Sequence, residues 1–167
     1  RRHHAALERQ DAPLQGGVMT TLAVRASEQA IERRFSELAG GAGRDVGEQA
    51  RGVASDQVAE RISGRLSEEQ AHALRVISGP ERGTILVGPA GTGKGVVIDA
   101  AARAEQLTGH RTFGIAVSGS TAQRLGQDCP ALAGQTLTLD ALVARVQRGQ
   151  VSVDEHTTIY FDEAGMA

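Results

Sequence analysis

One heptapeptide constrains this 167-residue chain more than any other feature. Gly88-Pro89-Ala90-Gly91-Thr92-Gly93-Lys94 fits the pattern G-x-x-x-x-G-K. It follows a short apolar run, Thr84-Ile85-Leu86-Val87, and opens an apolar-periodic segment over 94–107 that Gly109 closes. The expected local fold is therefore a buried strand, a tight glycine-rich turn and a helix. In such a turn the glycines let successive N–H groups face inward and curl round phosphate oxygens. The N-terminus of the next helix adds its partial positive charge. Lys94 is the only lysine against 17 arginines. A compact ammonium on a slim stem reaches β and γ phosphates where a planar guanidinium would not fit the loop. With 21 glycines and one lysine, the pattern arises by chance at roughly 1–2%, before its flanks are counted. Coincidence is thus a poor account of it. Gly88, Pro89, Ala90, Gly91, Thr92, Gly93, Lys94 and the following Gly95 form the candidate nucleotide-binding loop.

The segments after the loop set the fold class. A strand is expected over 112–117, a short helix over 121–125, a helix over 139–147 that Thr136–Thr138 leads into, and a strand over 157–161. Alternation of strands and helices predicts an α/β domain with a parallel sheet and helices on its faces. Upstream, Thr20-Thr21 can cap a helix to about Leu38 with Ile31, Phe35 and Leu38 on one face. Five glycines within 40–52 read as a flexible connection. A short helix over 55–62 carries Val58 and Ile62. Ser67-Glu68-Glu69-Gln70 is a capping-box pattern for a helix ending near Ser78-Gly79-Pro80. The expected domains are 1–19 as a linker or tail, 20–66 as a helical lead-in, and 67–167 as the α/β domain.

Composition excludes several classes. Three Phe, one Tyr and no Trp leave a core of Ala, Val, Leu and Ile and no base-stacking platform for single strands. One cysteine, Cys129, excludes an internal disulfide and a multi-cysteine zinc site; before Pro130 it reads as an incidental thiol in a turn. No apolar run approaches a membrane span, and no signal peptide opens the chain, so a cytoplasmic location is expected. Residues 1–83 carry 12 basic and 12 acidic groups, and 84–167 carry 6 and 8. Neither half has the basic excess of a stand-alone nucleic-acid binder. His3 and His4 read as exposed. The chain starts without Met and stops at Met166-Ala167, which reads as a piece of a longer protein.

Two further features bear on chemistry. The loop pattern calls for Ser or Thr after the lysine, to hold Mg²⁺ through its hydroxyl. Gly95 stands there instead, which predicts weaker Mg-nucleotide binding and impaired hydrolysis. Asp162-Glu163 ends the last apolar strand, 68 residues after Lys94. An aspartate so placed holds Mg²⁺, and an adjacent glutamate activates the attacking water. Asp162 is the candidate metal-holding residue. Lys94 and Glu163 are the candidate catalytic residues. ATP and Mg²⁺ are the expected substrate and cofactor.

The residues GPAGTGK (Gly88–Lys94) together with DEAG at 162–165 resemble the superfamily 1 DNA helicases of the RecD and conjugative-relaxase type. MTTLAVRASEQAIERRFSELA, at 19–39, is similar to the helix that leads into the helicase core of the conjugative TraA/TraI relaxases. The resemblance covers about 19–167. It implies the first part of a RecA-like P-loop domain, with ATP-driven 5′–3′ movement on single-stranded DNA in the parent protein, and conjugation proteins as partners. It also implies that Gln70 reads adenine, although the same glutamine occupies the N3 position of the capping box. Residues 114–125 (GIAVSGSTAQRL) are placed like a segment that touches DNA phosphates, with Ser118 and Ser120 as contacts and Arg124 as a solvated helix residue. Thr136 resembles the next DNA-contacting segment. A second RecA-like half with its arginine finger and a relaxase nuclease domain have no counterpart in these residues, so the chain alone is expected to be inactive. A RecD-type exonuclease subunit and a nucleotide-binding remnant without motor function are the alternatives.

Overall fold

The structure is a computed structural model that describes residues 12–13, 19–20, 22–89 and 91–162. The chain divides into two units between Gly41 and Ala42. In the first, the two-residue strands β1 (Ala12–Pro13) and β2 (Met19–Thr20) pair antiparallel. Helix α1 (Leu22–Ala39) follows and stops at Gly40, whose N–H bonds to the Ser36 carbonyl at 3.0 Å. Its stop agrees with the closing glycine; Thr21, expected with Thr20 to cap its start, lies outside the described residues. Of the expected apolar face, Ile31 is exposed and Phe35 is half-buried, while the Leu38 side chain lies outside the described residues.

The second unit is α/β. Helix α2 (Glu48–Ile62) is longer than the segment 55–62 read from the sequence. The glycine-rich connection ends at Gly47, not at Gly52. Asp45 is the reason: its carboxylate accepts the Gly47 N–H at 2.8 Å and pairs with Arg51 at 2.6 Å. Arg51 also reaches Glu48 and the Ser78 carbonyl. That network anchors the first turn, and burial of Ala54 and Val58 holds the rest.

Helix α3 (Glu68–Ile77) starts with the expected capping box. Helix α4 (Lys94–Leu107) has the bounds read from the sequence, and Gly109 turns the chain after it at φ 83°. Ala100, Ala101, Ala102 and Ala104 are fully buried. Small side chains let α2, α3 and the sheet approach α4 closely, which is how a chain with almost no aromatics fills its core. Val58, Leu74, Val97, Ala100 and Ala101 make one cluster, and Ala102, Leu125, Cys129 and Leu132 a second; Tyr160 packs against both.

The sheet is parallel, in the order β4-β3-β5. Strand β3 (Arg111–Ala116) lies between β4 (Thr136–Thr138) and β5 (Thr157–Phe161). Between them run α5 (Gly119–Asp128), a 3-10 turn (Pro130–Leu132) and α6 (Leu139–Gln147). Sheet and flanking helices form a partial RecA-like P-loop domain. Gly114 sits at the tightest point. A Cβ there would lie 2.9 Å from Leu125 Cδ2 and from Thr136 Cγ2, so only glycine lets α5 and β4 close on β3.

The expected strand at 84–87 is not formed. Among the described residues they pair with no strand, and Ile85 and Val87 are 67% and 87% exposed. Only Leu86 packs, against the first cluster. A threonine and three apolar residues match a strand by composition, but a parallel strand also needs a neighbour's ladder and cover on both faces. Conversely, β4 exists through its pairing with β3, which no local signal in three residues announces. Among the described residues, no helix is long and apolar enough to cross a membrane.

Candidate functional site

The glycine-rich loop enters α4 through two glycines in the left-handed region, Gly91 and Gly93, each at φ 81°. Lys94 is the first residue of the helix. Its Nζ donates to the carbonyls of Gly88 at 2.6 Å and Pro89 at 2.8 Å. Thr92 Oγ1 donates to the same Pro89 carbonyl at 2.9 Å. The ammonium is thus curled inside the loop, held by neutral oxygens that phosphate oxygens would outcompete for a cation. Gln70 Nε2 donates to the Thr92 carbonyl at 3.1 Å. Ala90 lies outside the described residues.

Topology brings the acidic end of β5 toward this loop. The C-terminal end of α4 lies by the start of β3, where Gln106 Nε2 bonds Thr112 Oγ1 at 2.7 Å. The N-terminus of α4 therefore lies toward the C-terminal ends of the strands, where ligands of parallel α/β sheets bind. Asp162 is at that end, its N–H bonded to the Ile115 carbonyl at 2.8 Å, one residue past β5. Cys129 braces the start of α4. Its Sγ donates to the Gly95 carbonyl at 3.3 Å, and burial, with the charges of Asp99, Asp128 and Asp162, pushes its thiol up to about 12. The thiol stays protonated and serves as a donor. Cys129 is thus a buried support of the P-loop helix rather than an incidental turn residue, a role that only the packing of α5 on α4 reveals.

Gly95 faces this support. A Cβ there would meet Asp128 Cβ at 3.4 Å and Cys129 Sγ at 3.8 Å, ordinary contacts. One added carbon fits at 95, so contact at the Cβ position does not demand the glycine. Among the described residues no group of three His, Cys, Asp or Glu side chains is arranged to hold a metal. Asp162, the acidic residue expected to hold a metal, stands one residue past β5 at the C-terminal end of the sheet. Glu163 lies outside the described residues, as do His3 and His4.

The other sequence candidates sit close by. Ser118 caps α5 by accepting the Thr121 N–H at 3.2 Å, and its hydroxyl lies 3.0 Å from that of Ser120. Both are exposed at the C-terminal end of β3. Arg124 is exposed on α5. Thr136 is half-buried in β4, its side chain turned over Gly114 and Gly126.

Residues 65–167 match the family model described as AAA domain. The chain belongs to this family. Its AAA domain is similar to conjugal transfer protein TraA of Agrobacterium fabrum (strain C58 / ATCC 33970), with 39% identity over 103 residues. That match covers 62% of this chain and 9% of TraA. TraA of Rhizobium radiobacter is 37% identical over 102 residues, covering 61% of this chain and 9% of that protein. A probable conjugal transfer protein TraA of Sinorhizobium fredii (strain NBRC 101917 / NGR234) is 36% identical over the same length, with the same coverage. The matched part of the chain spans only 9% of the length of each of these relatives.

Proposed function

We propose that the chain is the ATP-binding part of a conjugative relaxase/helicase. The parent, of the superfamily 1 RecD-like kind, would couple ATP hydrolysis to 5′–3′ movement on single-stranded DNA during plasmid transfer. One observation carries the reading: a P-loop lysine opening α4 and an aspartate ending β5, both toward the C-terminal edge of one parallel sheet. The conjugal transfer proteins among its relatives support the setting. Residues 67–167 are then the first RecA-like half, 20–66 its helical lead-in and 1–19 the tail of what precedes.

In this reading Gly88, Ala90, Gly91, Thr92 and Gly93 wrap the phosphates with backbone N–H groups, and Pro89, which has none, shapes the loop between them. Lys94 exchanges its two carbonyl partners for β and γ oxygens. Asp162 is the residue that would hold Mg²⁺, which supplies neutralising charge at the phosphates. Glu163 takes the proton of the attacking water. The exposed hydroxyls of Ser118 and Ser120 donate to DNA phosphates. Gly95 favours a second reading, a nucleotide-binding module without motor function, because no hydroxyl stands where the pattern places one. Titration calorimetry with Mg-ATP tests the proposal. Binding that Lys94→Ala weakens at least about tenfold, with an unchanged melting curve, is the expected result. Equal affinity in the variant would sink it. Turnover should be negligible, since the arginine finger implied for a second half contributes about 10³–10⁵ in rate.

A further inference from the structure

The side chain of Gln70 is engaged through both of its amide atoms. Oε1 accepts the Ser67 N–H at 3.0 Å, while the Gln70 N–H goes to Ser67 Oγ at 3.2 Å, completing the capping box. Nε2 reaches across 22 residues of sequence to the Thr92 carbonyl at 3.1 Å. The first turn of α3 is thereby tied to the phosphate loop. Gly93 makes the approach possible, because a Cβ at that position would collide with Gln70 Nε2.

A trans peptide keeps its C=O and N–H in one plane, pointing in opposite directions across the C–N bond. Holding the Thr92 carbonyl toward Gln70 therefore aims the Gly93 N–H the other way. A phosphate loop works only if its N–H groups are aimed before the anion arrives. We propose that Gln70 is a positioning residue for the phosphate loop, orienting the Thr92–Gly93 peptide whatever base the triphosphate carries. The proposal rests on the reading of 88–94 as a triphosphate site. It differs from the base-reading role implied by resemblance, because the contact is to the loop backbone.

The test is calorimetry on the whole 167-residue chain with ATP, GTP and inorganic tripolyphosphate in the presence of Mg²⁺. Gln70→Met removes the amide but keeps charge, length and helix propensity. It should weaken all three ligands by the same factor, about three- to tenfold for one net hydrogen bond. Ser67→Ala breaks the cap but leaves the Gln70–Thr92 bond. It should lower the melting midpoint yet hold all three affinities within about twofold, a smaller change than the loss of that bond. Loss confined to ATP would overturn the proposal in favour of base reading. No loss in Gln70→Met, or an equal loss in Ser67→Ala, would also overturn it. If Gln70→Met does not fold, Gln70→Asn, a methylene too short to reach Thr92, replaces it with the same expectations. A wild-type chain that binds none of the three ligands refutes the triphosphate reading itself, and the proposal with it, before any variant is compared.

Discussion

Gly95 is the residue at which this P-loop departs from its pattern, and its surroundings make it testable. A Cβ there would make only ordinary contacts with Asp128 and Cys129, and threonine is a better helix residue than glycine. Gly95→Thr should therefore fold with an unchanged or slightly raised melting temperature. If the missing hydroxyl weakens metal coordination, the variant should bind Mg-ATP at least about tenfold more tightly, by about the value of one charge-assisted bond. ATP without Mg²⁺ should bind as before. Titrations with and without Mg²⁺ check this, and no Mg-dependent gain would show that the hydroxyl is not what the site lacks. Gly114 gives the opposite expectation. Gly114→Ala forces a Cβ to 2.9 Å from both Leu125 and Thr136 and should cost about 1–3 kcal/mol in a urea melt. The two glycines look alike in the sequence. Their different roles come from neighbours that lie far along the chain.

At the scale of elements, local signals placed the helices well. Helix α4 opens at the lysine and closes at the glycine, because capping and periodicity are local properties. The capping box of α3 was legible for the same reason. The strand at 84–87 was expected from composition and is not paired, whereas β4 is paired and was read only as a lead-in to α6. Strand identity depends on a ladder to distant residues, which no local pattern encodes. Helix α2 shows a third case. Its early start depends on Asp45 reaching Arg51 and on Arg51 reaching Ser78. Because Val58 is fully buried in the cluster that contains Leu74 and Val97, α2 is part of the α/β unit's core. Val58→Ala should cost about 2 kcal/mol, read as a lower denaturant midpoint in a single transition. A separate early transition for α2 would contradict this.

At the scale of the whole molecule, buried weak acids make stability depend on pH. The Cys129 thiol is raised from 9.0 to about 12, first by burial and then by the surrounding carboxylates. Tyr160 is raised well above its usual value, again mainly by burial. A group with a raised native pKa stabilises fully below its unfolded pKa, and the contribution is lost as pH climbs through the native one. The chain should therefore lose stability progressively from about pH 9 toward pH 12. Cys129→Ala should show a shallower decline over that window, with the remainder owed to Tyr160. Denaturant midpoints measured at intervals from neutral pH upward check it, and parallel slopes for the two proteins would be the contrary result.

The phosphate loop, its lysine and most helix ends were readable in the amino-acid order, because each is set by a few consecutive residues, and the α/β class was readable from the alternation of strand-like and helical segments. Tertiary structure decided which apolar runs became strands, that Cys129 supports the P-loop helix, and that Gln70 holds the loop as well as capping α3. Those features depend on backbone and side chains tens of residues apart meeting at hydrogen-bond distance, and folding alone sets that distance.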